Sequence, residues 1–300
     1  MTRQVLAVQL YTLRAHTQTL ADLRATLKKV ADIGYTAVEL SAVEQLDPQD
    51  VARALADHGL KAVSAHTAWE RFPHDLDAVI AEYRLWDCRR LVIAGLPGEY
   101  YSAAGLQRFL RELPPVTARL AAAGIDFVYH NHSHELARLE NGDWLRVCAV
   151  PVPIFDRLRA QPAPGPSTGA QPRSLSPSPP DAVGGHTWLA QLFDRTDPRQ
   201  VKAELDTYWI QHGGGDPAAW IRRYAGRVPL LHLKDMCITP QREQRYAEVG
   251  AGNLNWPAIL AAAADAGVEC YIVEQDECYA RDPFDSVALS FRFLHSLGLR

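Results

Sequence analysis

The spacing of apolar positions along this chain changes again and again. Short runs such as "VLAVQLY" (5–11) give way to longer stretches in which apolar residues recur every three or four positions. Short β-rich runs read as strands, and a repeat near 3.6 reads as an amphipathic helix. In "TLADLRATLKKVADIG", Leu20, Leu23, Leu27, Val30 and Ala31 share a helical face, and Gly34 stands where a C-cap belongs. The rhythm predicts further strands at 36–40, 60–66, 91–95, 125–131, 201–206, 229–235 and 269–275, with helical patterns between and after them. The helical stretch after the fourth strand contains Pro114-Pro115, where a break is expected. Parallel strands need crossover helices, so eight such units predict an α/β fold, a closed (β/α)8 TIM barrel. An open doubly wound sheet is the alternative. It would carry a glycine-rich fingerprint after the first strand, and "VQLYTLRAHT" has none.

The rhythm stops once. From about 150 to 185 the chain is dense in Pro, Ser, Ala and Gly with little apolar periodicity, which predicts a disordered surface insertion. Strands and helices resume beyond it, so one domain spanning 1–300 is expected, interrupted after strand five. Net charge is −4, which argues against a nucleic-acid binder with a broad basic face. The five scattered cysteines form no CxxC pair, so neither a disulfide framework nor a zinc ribbon is indicated. The N-terminus has only a short apolar run broken by Gln9, and no apolar run approaches membrane-spanning length. A cytoplasmic protein with no membrane partner is expected. The exposed helix faces leave a homo-oligomer open.

The chemistry gathers at the predicted C-terminal ends of the strands, where barrel active sites lie. Strand two ends at Glu39 and strand three at His66. Strand five runs into "VYHNHSHEL" (128–136), with His130, Asn131, His132, His134 and Glu135. Strand six ends at Asp206, strand seven at His232, Lys234 and Asp235, and strand eight at Glu274 and Asp276. Parity agrees. Glu204 and Asp206 share one strand face, His232 and Lys234 another, and Ile272, Glu274 and Asp276 a third, against apolar residues that should pack on helices. Charges brought to such a place are paired or bind metal. A mixed Asp, Glu and His set suits one divalent ion such as Mn²⁺, Zn²⁺, Co²⁺ or Mg²⁺.

"GYTAVEL", "YHNHSHEL", "VKAELDTYWI", "GRVPLLHLKD", "AEVGAGNLNW" and "YIVEQDEC", in that order, resemble the sugar phosphate isomerase/epimerase family of the xylose isomerase-like barrel superfamily. The resemblance runs nearly end to end except for the Pro/Ser-rich insertion. It implies one divalent metal held by Glu, Asp, His and Glu from strands five to eight. Asp206, His232 and Glu274 match three of those positions. Glu135, the only carboxylate of its segment, is the choice for strand five, with His130 or His132 as replacements. One position departs: the ketose 3-epimerases carry a histidine three residues after the strand-six aspartate, and this chain has Trp209.

The expected activity is therefore that of a metal-dependent isomerase or epimerase of a small-molecule sugar or sugar derivative. A proton α to a carbonyl leaves, and the enediolate is stabilised by the metal. Glu135 and Glu274 are the candidate proton-transfer carboxylates. His66, His130, Asn131, Trp209 and Lys234 are candidate substrate contacts, with Trp69 and Tyr11 as further aromatics for a sugar-stacking wall. A leaving group β to the carbonyl would make the same site a lyase or dehydratase. An endonuclease would need more metal ligands and a basic groove. A non-catalytic barrel would need no metal. "HGGG" (212–215) lacks an accompanying GxSxG elbow and reads as a flexible loop. "GAGN" (250–253) stands where a barrel could approach a phosphate.

Overall fold

The computed structural model describes residues 4–139 and 185–300. Eight parallel strands close into a barrel: β1 (Val5–Gln9), β2 (Ala37–Leu40), β3 (Lys61–His66), β4 (Arg90–Ile93), β5 (Asp126–His130), β6 (Lys202–Asp206), β7 (Leu230–Leu233) and β10 (Cys270–Val273). The crossovers carry α1 (Leu20–Ile33), α2 (Pro48–Asp57), α3 (Phe72–Leu85), α4 (Ala103–Ala122), α5 (Trp188–Asp194), α6 (Thr207–His212), α7 (Pro217–Arg223) and α8 (Trp256–Ala266), and α9 (Pro283–Ser296) follows the last strand. The expected TIM barrel is the observed fold. The Pro/Ser-rich stretch lies outside the described residues apart from Gly185. Among the described residues, no helix is long and apolar enough to cross a membrane.

Local sequence starts the helices where the strands must turn. Thr19 and Asp22 form a reciprocal capping box on α1. Asp47, Asp216 and Asp282 cap helices whose first residue is proline, a position where the missing N–H costs nothing. The expected break at Pro114-Pro115 is not seen: α4 runs through both prolines. Its buried face of Leu106, Phe109, Leu113, Thr117 and Leu120 is continuous across them. That packing holds the helix together against a cost of about 3 kcal/mol for an interior proline. "HGGG" is also not a free loop. His212 ends α6, and the glycines form a tight turn in which a Cβ on Gly213 would meet Leu136 at 2.8 Å.

Inside the barrel, Ala7, Ala37, Val92, Val128, Leu230 and Ile272 form a small apolar plug. The larger core lies between strands and helices. Two residues beyond Ala7, Ala37, Val128, Leu230 and Ile272, the same inward face turns polar at Gln9, Glu39, His130, His232 and Glu274. Beyond Val92 of β4 it stays apolar at Ala94. Parallel register places Gln9 beside Glu39, His130 beside Glu204, and Asp206 beside His232. The apolar plug thus forms a floor, and the polar residues above it form the site.

Strand seven is shorter than the predicted 229–235. It ends at Leu233, and an antiparallel hairpin of β8 (Asp235–Ile238) and β9 (Gln244–Ala247) follows. Asp235 organises the next loop. Its carboxylate accepts from the backbone N–H groups of Gly250, Gly252 and Leu254 and from the Trp256 indole, at 2.6–3.2 Å. Gly252 must lack a Cβ, which would collide with that carboxylate. Of the "GAGN" amides placed where a barrel could approach a phosphate, those of Gly250 and Gly252 are therefore occupied by an aspartate of the same chain, and those of Ala251 and Asn253 by backbone carbonyls.

Candidate metal centre

Two polar layers meet at His232, which is fully buried. In the deeper layer, His232 Nε2 lies 2.6 Å from Glu39 Oε2 and 3.2 Å from Glu204 Oε2. Glu39 also accepts from the Gln9 amide at 2.6 Å. Glu204 Oε2 lies 3.0 Å from His130 Nδ1 and 3.4 Å from His66 Nε2. Burial opposes a charge on His66, but Glu39 and Glu204 outweigh it and hold the ring up to about 10. Burial also opposes ionisation of Glu39, and the neighbouring His66 and His232 bring its carboxyl well below the usual range. His130 goes the other way, because burial and three flanking imidazoles push it well below an ordinary histidine.

In the upper layer, His232 Nδ1 lies 2.8 Å from Glu274 Oε2 and 3.7 Å from Asp206 Oδ2. The buried Lys234 ammonium sits among Glu274 (2.6 Å), Asp276 (2.9 Å) and Asp206 (3.2 Å). Burial would discharge this lysine, but Asp206, Glu274 and Asp276 hold its pKa well above the ordinary value. Asp206 Oδ1 caps α6 through Trp209 N at 2.9 Å, while Oδ2 makes no directed hydrogen bond. Trp209 lies over the lysine, 5.3 Å from Nζ to ring centroid.

The strand-five segment separates its functions. Asn131 Oδ1 accepts from Asp206 N at 3.2 Å, which ties β5 to β6. His132 is largely buried and its Nδ1 has no partner. Burial, and then the Lys234 charge, bring its pKa down to about 4, with Asp206 and Glu274 near enough to oppose them. Glu135 is fully buried. It accepts from His132 N at 2.9 Å and Tyr129 Oη at 3.2 Å, and burial pushes its carboxyl up to about 7.

Among the described residues, three side-chain groups could therefore hold a cation by the proximity of their donors: His66, His130, Glu204 and His232; Asp206, His232 and Glu274; and His132, His134 and Glu135. Asp206, His232 and Glu274, which the sequence reading set around one ion, stand together. Glu135, assigned with them, groups with His132 and His134 instead. A cation fits the donor set. Buried oxygens of Glu39, Glu204 and Asp206 and the His132 Nδ1 all lack hydrogen-bond partners, a costly condition that a cation would relieve.

Of the expected aromatics, Trp69 is core, packed edge-on against Phe72 and Phe109. Tyr11 lines the cavity at the barrel mouth, with His66, His130, His132, Glu274 and Asp276. The sequence reading gave no role to Gln9, and it placed Glu204 on the strand face of Asp206 without making it a ligand or substrate contact. The signal was present, since a buried amide and carboxylate share strand faces with Ala7 and Asp206.

A closed (β/α)8 barrel with buried imidazoles and carboxylates at its mouth defines the class. No protein-family model matches the chain, and no curated protein matches it. Solved structures do match, over the full length. Two sugar phosphate isomerase/epimerases from Parabacteroides distasonis align at 23% and 21% identity with TM-scores of 0.70 and 0.71. They cover 100% and 99% of this chain, and 96% and 99% of their own. An L-ribulose 3-epimerase aligns at 17% identity and TM-score 0.64, over 99% of this chain and 94% of its own. The structural neighbours are thus sugar phosphate isomerase/epimerases and xylose isomerase-like barrels, and the fold is theirs.

Proposed function

We propose that this protein is a divalent-metal-dependent isomerase or epimerase of a sugar or sugar derivative. The observation that supports it best is the setting of His232. Its Nε2 is held by Glu39 at 2.6 Å, so its Nδ1 is directed at Asp206 and Glu274. A metal-ligating imidazole is commonly oriented in this way, with its other nitrogen on a carboxylate.

Asp206, His232 and Glu274 would hold the ion. For strand five, His132 replaces Glu135 as our choice, because its buried Nδ1 is unpartnered while both Glu135 oxygens are engaged. When bound, the ion supplies Lewis-acid polarisation of a sugar carbonyl and its neighbouring hydroxyl. Glu274 lines the cavity, is kept ionised by Lys234 and His232, and takes the proton α to the carbonyl. His66, also on the cavity wall, is protonated and returns a proton or donates to the developing oxyanion. Glu135 holds the His132 backbone and acts from behind the cavity wall. The apolar plug keeps water from reaching the site from below.

Trp209, in place of the epimerase histidine, favours one second reading, elimination from a keto-sugar. Incubating manganese-loaded protein with ketoses and keto-inositols in deuterated water separates the two. Isomerisation leaves solvent deuterium in a product of unchanged composition, and elimination releases water. No exchange and no loss across the panel would remove both readings.

A further inference from the structure

We infer that the cavity takes an uncharged, unphosphorylated sugar and discriminates against its phosphate ester. This rests on the isomerase reading above and adds the charge of the substrate to it. The cavity at the mouth has a volume of about 440 Å³. Its acidic lining residues are Glu44, Glu70, Glu274 and Asp276, set against one protonated imidazole, His66, and among the described residues no lysine or arginine lines it.

The cations nearby are committed elsewhere. Lys234 is shared by three carboxylates within 3.2 Å. Arg71, beside the adjoining groove, pairs with Asp75 and Glu82 at 2.7–2.8 Å. Arg14 stacks on Tyr11 at 4.3 Å and donates to the Tyr11 carbonyl. Below the cavity floor, Glu39 and Glu204 add further carboxylates. One divalent ion would offset only part of this charge, so a phosphate would enter a negative field.

The backbone amides of the loop after strand seven are engaged as well. Barrels often bind phosphate with loop amides near strands seven and eight. Here the amides of Gly250, Gly252 and Leu254 converge on the Asp235 carboxylate. An internal anion fills the place an external one would need. Hydroxyls, by contrast, suit the cavity, since imidazoles and carboxylates offer donors and acceptors to each.

The test uses the manganese-loaded full chain. Calorimetric titration compares D-fructose and D-ribulose with fructose 6-phosphate and ribulose 5-phosphate, with inorganic phosphate as the anion control. At least one neutral ketose should bind roughly tenfold or more tightly than its phosphate, because like charge at a site is disfavoured. Glu44→Lys combined with Glu70→Lys should narrow that gap. A phosphate ester that binds as tightly as its parent sugar, or no neutral sugar binding at all, would overturn the inference. The deuterium experiment is read separately. Selective binding of a neutral sugar without exchange keeps the charge inference and removes the isomerase reading. Exchange on the phosphate ester alone does the reverse.

Discussion

The two faces of His232 look out on different surroundings. On the Nε2 side, Gln9, Glu39 and Glu204 are completely buried and lie just above the apolar plug. On the Nδ1 side, Asp206, Glu274 and Lys234 sit at the ends of strands, and Glu274 and Asp276 reach the cavity. Both layers are rich in carboxylate and imidazole, and both are close enough to hold an ion. They differ in what already satisfies them. In the deep layer one oxygen of each carboxylate meets imidazole, while Glu39 Oε1 and Glu204 Oε1 have no partner. The upper layer depends on one lysine for its positive charge. Proximity of donors alone thus does not identify a metal site, and both layers reach the cavity, the deep one through His66 and His130 and the upper one through Glu274.

The sharpest way to break the comparison is to neutralise one carboxylate in each layer. Asp206→Asn keeps the oxygen that caps α6 while removing the charge directed at the ion. It should abolish stoichiometric metal binding and lower turnover by ~10³-fold, since Lewis-acid assistance is worth several kcal/mol. Glu204→Gln should leave metal content nearly unchanged. Elemental analysis of both purified variants, beside their turnover, settles the matter. If Glu204→Gln loses the metal and Asp206→Asn keeps it, the ion belongs to the deep layer and our assignment is inverted.

Glu135 sharpens the comparison from a third position, behind the strand-five segment. Its carboxyl titrates near 7 when folded, against an ordinary 4.5. Because the folded pKa is raised, the folded state holds the proton more tightly. The resulting stability is present below about 4.5 and is lost as pH rises through about 7, by up to about 3 kcal/mol. Glu135→Gln keeps an acceptor for the His132 amide and cannot titrate. In chelator-treated protein, its melting temperature should therefore gain on wild type as pH rises from 4.5 to 8. Parallel curves would mean that Glu135 is already ionised in the folded chain, as a metal ligand would be.

How much of this was legible in the sequence depends on the kind of signal. Strand and helix periods specified the barrel. Parity along strands six and seven turned Asp206, His232 and Lys234 inward, and the structure has them there. Lateral register is different, because it depends on how strands slide past one another. The pairing of Gln9 with Glu39 and of His130 with Glu204 appears only once the barrel closes. Past the end of β5 the strand period no longer applies, so nothing in "NHSHEL" could say whether His132 or Glu135 faces the site. Asp235 looked like one more strand-end acid, yet it is a loop organiser whose partners lie 15 to 21 residues ahead. The break predicted at Pro114-Pro115 weighed a local cost without the buried face that outweighs it.

The smallest effect is the most specific to the two-layer picture. Glu39 does not itself line the cavity; it acts through His232 and, at 3.3 Å, through His66 on the cavity wall. Glu39→Gln would remove the carboxylate that holds Nε2 while leaving the volume nearly unchanged. Carboxylates in this second rank around a metal typically contribute 10- to 100-fold in affinity, or about 1.4–2.7 kcal/mol. A competitive chelator titration should therefore show weaker metal binding by that factor, with a further loss of turnover at saturating metal because His66 loses the carboxylate that favours its charge. Glu39→Asp, which keeps the charge but shortens the reach, should recover part of the affinity. A purely structural role would lower melting temperature in both variants without that ranking. If Glu39→Gln binds metal as tightly as wild type, then Glu204, at 3.2 Å from the same nitrogen, is what orients the ring. The deep layer would then be anchored from β6 and not from β2.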